Sequence, residues 1–237
     1  KAQSVVCASG AWSSVFMANL GINLPQLTVR ATVMRTAPAP DIYQGCASVG
    51  EVAIRRRQDN GYTVASSSTN EHFIGADSFR HFFKFLPALS ASVKYINLRF
   101  HDDLIKRLLP VRRWRDDEIT PFEQTRILNP TPSQKAITAM KKGLKKRLPQ
   151  LSELPIEEAW AGMIDVTPDV VPVMDEISDC PGLFVATGFS GHGFGIGPGA
   201  GKVMANMVMG NRPAHNLDRF RFSRFTDGSK MMPGPGL

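Results

Sequence analysis

Residues 188–202 read GFSGHGFGIGPGAGK, seven glycines in fifteen, directly after the apolar run Leu183–Thr187. A glycine-rich turn that ends a strand and opens a helix constrains this chain more than any other feature. It demands a strand–loop–helix unit whose backbone N–H groups face outward at the helix start. The stretch is not a P-loop. Position 196, where that motif needs glycine, is Ile, and Val203 stands where Ser or Thr should follow Lys202. Residues 195–200 fit G-x-G-x-x-A, yet no further strand–helix–strand unit follows. No acidic residue stands about twenty positions on at a strand end, since Asp218 lies in a polar tail. Seven glycines exceed what a tight turn needs, so the backbone here is expected to approach a ligand closely.

The remaining totals exclude more than they select. The chain has 237 residues, 43% hydrophobic and 21% charged, which is enough apolar sequence for one large domain or two small ones. No apolar run approaches the ~18–20 residues of a membrane-spanning helix, so no membrane span is expected. Cys7, Cys46 and Cys180 are scattered without a C-x-x-C pair, and the five histidines lack metal-ligand spacing. Neither a disulfide framework nor a metal site is indicated, and a reducing, cytoplasmic setting fits. The net charge of +7 raises nucleic acid as a partner. Its distribution argues against one: Lys141, Lys142, Lys145, Lys146 and Arg147 lie on the polar side of a helix, and Arg55–Arg57 lie in a strand.

Along the chain, Ser4–Gly10 reads as a strand buried on both faces. A short helix follows with Trp12, Val15, Phe16 and Leu20 at helical spacing. Residues 25–75 carry β-branched residues in part-alternation, and Asp59-Asn60-Gly61 between two runs signals a hairpin. A helix is expected over Asp77–Leu86, with Phe79, Phe82, Phe83 and Leu86 on one face and Pro87 as its end. A strand near 92–100 and a short helix at 102–109 follow. The clearest helix runs from Thr131, with Thr131 and Gln134 at capping-box spacing and Ile137, Met140, Leu144 and Leu148 as its buried stripe. A helix opening near Pro198 is expected to end at Gly210. The tail from 213 is polar and basic and is expected on the surface or disordered. Asp165 and Asp169, flanking Val-Thr-Pro, read as turn residues.

Three stretches together resemble one family. GLFVATGFSGHGFGIGPGAGK, preceded by WAGMIDVTPDVVPVMD, is similar to the C-terminal signature of the D-amino-acid-oxidase-like flavoproteins, which include sarcosine and glycine oxidases and D-amino-acid dehydrogenases. VVCASGAWS resembles the segment where that family's chain leaves the FAD domain, and IRRRQDNGYTVA resembles its first substrate-domain hairpin. The three occur in family order. The resemblance implies a fold of α/β plus α+β type, in which an FAD-binding α/β layer (1–24 and 155–212) carries an inserted antiparallel-sheet substrate domain (25–154) and a tail (213–237). It implies FAD contact by Gly10, Ala11 and Trp12 and by Gly188, Phe189, Ser190, Gly191, His192, Gly193, Phe194, Gly195 and Ile196. The implied reaction is oxidation of the C–N bond of a D-amino acid, an N-alkyl amino acid or an opine, and no general base is nominated.

The resemblance also marks departures. Family members begin with a unit carrying G-x-G-x-x-G, which is expected to precede Lys1 in a longer protein. The alternative is a non-catalytic fragment or binding module unable to hold FAD alone. The cysteine that tethers flavin in sarcosine oxidases has no counterpart in Trp160–Ile164, so non-covalent FAD is implied. Gly195 replaces the lysine that contacts substrate carboxylate there. Arg55 and Arg57, on one face of a strand, and Tyr62 beyond the turn are the candidates for that role. The expected partners are an amino-acid-like small molecule and either a second copy of the chain or an N-terminal portion.

Overall fold

The computed structural model describes residues 2–66, 70–92, 96–100 and 113–234. The expected helix at 102–109, with Asp102 and Asp103, lies outside them. In chain order the elements are β1 (Val5–Cys7), a 3-10 turn (Gly10–Trp12), α1 (Ser13–Asn19), β2 (Leu27–Thr36), β3 (Cys46–Val49), β4 (Val52–Arg56), β5 (Tyr62–Ser66) and β6 (Asn70–Phe73). Then come α2 (Ala76–Arg80), α3 (Phe82–Ser92), β7 (Ile96–Arg99), α4 (Pro121–Gln124), α5 (Gln134–Arg147), β8 (Ile156–Val166), β9 (Val173–Glu176), β10 (Leu183–Thr187) and α6 (Gly193–Val208).

Two sheets organise the chain. The smaller has the order β1-β10-β9, with β1 parallel to β10 and β9 antiparallel to it. Strand alternation sends Val173, Val185 and Cys7 toward α1, where they meet Met17 and Leu24. It sends Met174 and Phe184 toward α6, where they meet Met204. β1 differs from the expected fully buried strand. Val5 and Val6 are 47% and 43% exposed, because β1 is an edge strand paired only with β10 among the described strands.

β2 is the axis of the larger sheet. Along one edge it pairs with β8 from Leu27–Val166 to Thr36–Ile156. The other edge is shared: β6 covers Val29 and Arg30, and β5 covers Val33–Arg35, extended by β4 and β3. The pairs are antiparallel apart from β6 with β7. Residues 156–166, grouped above with the FAD-binding segments, therefore run in this sheet. The Asp-Asn-Gly hairpin forms as expected, with Asn60 at φ +65°.

α5 packs its stripe, led by Met140 and Leu144, on Met34, Val52, Ile54, Tyr62 and Val64. Its cap differs from the expected box. Ser133 Oγ accepts from Ala136 N at 3.3 Å, while Thr131 O accepts from Arg30 Nη1 at 2.9 Å. Ser133→Ala is expected to cost about 1 kcal/mol in urea unfolding, and a loss below a few tenths would show the cap to be idle.

Three further expectations change. The helix after residue 76 breaks at His81, and α3 continues through Pro87. Its anchor is Phe85, packed on Val29, Val166 and Val170, whereas Phe79 and Phe83 are 64% and 82% exposed. α6 begins at Gly193, five residues before the expected start. The tail is docked: Phe225 joins the α1-side core, and Arg224 forms a buried ion pair with Asp169. No helix among the described residues is long and apolar enough to cross a membrane.

Candidate functional site

β1 and β10 are parallel neighbours, so their carboxyl ends share one edge of the smaller sheet. Crevices at that edge are where open α/β sheets bind ligands. The chain leaves β1 through Gly10 at φ +55° and leaves β10 through Gly188 at φ +76°. A polar lock joins the two exits. Gln26 Nε2 donates to Gly10 O and to Thr187 Oγ1, both at 3.1 Å, and Gln26 Oε1 accepts from Ser14 N at 2.9 Å. Thr187 Oγ1 lies 2.8 Å from Ser13 Oγ and 2.9 Å from Asp165 Oδ2. Asp165 Oδ2 accepts from Gly188 N at 2.6 Å, and Asp165 O accepts from Ser190 N at 3.0 Å. Gln26, Ser13 and Thr187 are at most 2% exposed, so these bonds are shielded from competing water. Asp165 and Thr187 thus position the second exit, and Gln26 ties it to the first.

The loop itself is shaped by glycine. A Cβ on Gly188 would stand 2.4 Å from Thr167 Cγ2, and one on Gly191 would stand 3.6 Å from Ile164 Cδ1. Ser190, a non-glycine residue at φ +52°, is held by its own Oγ donating to Gly188 O at 3.0 Å. In α6 the reasoning inverts. Cβ atoms on Gly195, Gly197, Gly199 and Gly201 would meet nothing within 4 Å, and none of the four has positive φ. Neither crowding nor conformation within the described chain calls for them, and each costs up to about 1 kcal/mol of helix propensity against alanine. They leave bare backbone on two sides of the helix, Gly197 and Gly201 on one and Gly195 and Gly199, beside Met174, Leu217 and Phe220, on the other. His192 is half-buried at the helix start, and Phe194 is 99% exposed. Trp12 stands edge-on to Phe122 at 5.8 Å, and Phe122 meets Trp114 at 5.5 Å. The structure therefore brings residues 10–12 and 188–196 to one edge.

It does not bring the three proposed carboxylate partners there. Tyr62 pairs with Arg56, not Arg55, and so faces the α5 side. It is fully buried, its hydroxyl donating to Tyr43 O and accepting from Ile42 N and Tyr43 N. Arg57 is committed to Asp59 through two nitrogens at 2.6–3.0 Å. That bond, with Gly61 N–H, holds the Asp59 carboxyl down at about 2. Arg55 is exposed and makes no ion pair with a described residue. By register it stands six residues along and three strands across from Ile164, roughly 24 Å away at strand spacings.

Among known proteins, the sequence model of the FAD dependent oxidoreductase family (DAO) matches residues 1–207. The chain belongs to that family. A bovine relative, FAD-dependent oxidoreductase domain-containing protein 1, is 39% identical over 89 residues, 37% of this chain and 18% of its own length. N-methyl-L-tryptophan oxidase of Salmonella newport is 37% identical over 62 residues, 26% of this chain and 17% of that protein. The solved L-amino acid deaminase of Proteus myxofaciens superposes with a TM-score of 0.87 at 30% identity, covering 94% of this chain and 50% of that one. This FAD-dependent oxidoreductase chain thus spans about half the length of the solved relative, and its matches span less than a fifth of the two curated ones.

Proposed function

We propose that residues 10–12 and 188–196 hold the ring end of FAD, non-covalently, in an enzyme that oxidises the C–N bond of an amino acid or N-alkyl amino acid. Opines and D-amino acids belong to the same substrate class. The carrying observation is the lock that draws Gly10 and Gly188 to one sheet edge, with the start of α6 five residues beyond Gly188. Bound FAD supplies a two-electron acceptor for hydride from the carbon that bears the amine. The chain's own residues orient. Thr187, Gln26 and Asp165 fix the two glycine exits. The first turn of α6, starting at Gly193, turns its N–H groups and positive dipole end toward the loop and favours negative charge there. On the face of the larger sheet opposite α5, Ile164 borders the loop at Gly191, and the substrate approaches the ring from that side.

The test is flavin retention by the purified protein through gel filtration, followed by anaerobic bleaching of its visible absorbance with a panel of D-amino acids, N-methyl amino acids and opines. Retention with amine-dependent bleaching supports the reading; retention without bleaching by any amine overturns the activity, and an FAD spectrum unchanged by saturating amounts of the protein overturns the site. Arg55→Ala is expected to leave KM for a carboxylate substrate within about threefold, because of its separation from the loop. A tenfold rise would restore it as the carboxylate partner. The half-length coverage of the solved relative favours a second reading, in which these 237 residues alone form half of a site and hold FAD weakly. FAD affinity separates the two.

A further inference from the structure

Between α1 and α2 lies a cavity of about 290 Å³ to which none of residues 10–12 or 188–196 contributes. That volume is at the small end for ligand sites, which run from roughly 300 to 1,000 Å³. Its walls divide by chemistry. Ala18, Ile22 and Leu24 form an apolar side, and Asp77, Arg80 and Arg113 form a charged one. The charged side sets two guanidiniums against one carboxylate, so it favours an added anion.

Arg113 is the informative residue. It is exposed, and its guanidinium makes no hydrogen bond or ion pair with a described residue. Its backbone is nonetheless anchored. The next residue, Trp114, donates its N–H to Asn19 Oδ1 at 2.8 Å and stands edge-on to Phe122 at 5.5 Å. The guanidinium lies against Gly21, where a Cβ would stand 2.6 Å from Arg113 Nη2. Gly21 follows the end of α1 at φ +80°, and the carboxyl end of a helix attracts a cation. That attraction accounts for a guanidinium resting there without a carboxylate. Arg80 commits Nη1 to Asp77 Oδ1 at 2.8 Å. Its remaining N–H groups have no partner among the described residues.

We propose that this cavity is a second binding site, for a small carboxylate with an apolar body, and that its occupancy strengthens the hold on FAD. Guanidinium forks match the two oxygens of a carboxylate. The wall of Ala18, Ile22 and Leu24 takes a branched alkyl group out of water, a gain that an inorganic phosphate lacks. The coupling runs along the chain. Ser14 lines the cavity, and its N–H donates to Gln26 Oε1 at 2.9 Å. Leu24, on the apolar wall, stands two residues before Gln26. A ligand that braces residues 21–24 therefore braces the side chain that ties the Gly10 and Gly188 exits together. The coupling rests on the reading of residues 188–196 as the flavin-ring end; the carboxylate site does not. Amino acids and 2-oxo acids share the chemistry the cavity recognises.

Calorimetric titration of the purified protein tests the site with isobutyrate and isobutylamine, which share an apolar body. Isobutyrate is expected to bind and isobutylamine to give no heat of binding. Arg113→Gln, a change at an exposed side chain, is expected to weaken isobutyrate about tenfold, and Arg80→Gln by a similar factor. Isobutyrate binding that is the same in wild type and Arg113→Gln overturns the site, and tighter binding of inorganic phosphate overturns the ligand class. Valine and 2-oxoisovalerate separate the two sources: whichever binds more tightly, and loses that affinity in Arg113→Gln, is the kind of occupant the site takes. FAD affinity, read from its visible spectrum, is expected to rise about threefold at saturating isobutyrate in wild type and to stay unchanged in Arg113→Gln; FAD must then tighten isobutyrate by the same factor. An FAD affinity indifferent to isobutyrate overturns the coupling and leaves the site standing. An FAD spectrum unchanged by the protein overturns the flavin reading and the coupling with it, while the calorimetry still decides the carboxylate site.

Discussion

Replacing Arg224 with methionine is expected to destabilise the protein by about 3–5 kcal/mol, the usual cost of stranding one member of a buried ion pair. Arg224 and Asp169 are 5% and 4% exposed, and the guanidinium grips both carboxylate oxygens at 2.8 and 3.0 Å. The same side chain donates to Val171 O at 2.7 Å and to Arg221 O at 2.9 Å, and it lies over the Phe225 ring at 4.2 Å. Methionine keeps the length and apolar stem but leaves Asp169 charged in a dry site. The double change Arg224→Met with Asp169→Asn removes the stranded charge and is expected to recover part of the loss. Urea unfolding midpoints measure both. A single-variant loss below about 1 kcal/mol would show that the pair contributes no more than an exposed one. The effect reaches the site, because Asp169 sits in the turn that carries Thr167, and Thr167 bears on Gly188.

Gly188→Ala has the second large expected effect, about 2–5 kcal/mol, from two separable sources. A residue with a side chain at φ +76° costs about 1–2 kcal/mol. A Cβ at 2.4 Å from Thr167 Cγ2 forces a displacement worth about 1–3 kcal/mol more. Thr167→Ser deletes that methyl yet keeps the hydroxyl that donates to Val171 O at 2.7 Å. In the double variant the crowding should vanish and the backbone cost remain. Thermal unfolding reads the stability, and flavin retained per chain reads the site. If Gly188→Ala unfolds within about 1 °C of wild type, both costs have been misjudged.

The parts of this molecule that can be read from sequence are the local ones. The glycine loop after an apolar strand, the Asp-Asn-Gly hairpin and the Met140–Leu144 stripe each depend on spacing within a few residues. The lock does not. Gln26 reaches Asp165 and Thr187 across 139 and 161 positions, and its only local sign is a polar side chain set between Leu24, Pro25 and Leu27. Arg55 lies on the face away from α5, but Arg57 falls beyond the end of β4, where Asp59, two residues on, captures it. Tyr62 falls on the opposite face because the hairpin register pairs it with Arg56, and the turn length alone leaves that register open. The tail reads as polar by composition, yet Arg224 finds its partner 55 residues away.

α6 is built from two unequal halves. Five of its first nine residues are glycine, while its later turns are pinned by Val203 and Met204. By propensity the first half is some 4–5 kcal/mol weaker than an alanine helix of the same length. Unwinding therefore starts at the end that carries His192 and Phe194, and it can proceed without disturbing the sheet beneath the other end. On the proposed reading, a ring that settles against those turns tightens them, so part of its binding free energy goes into winding helix.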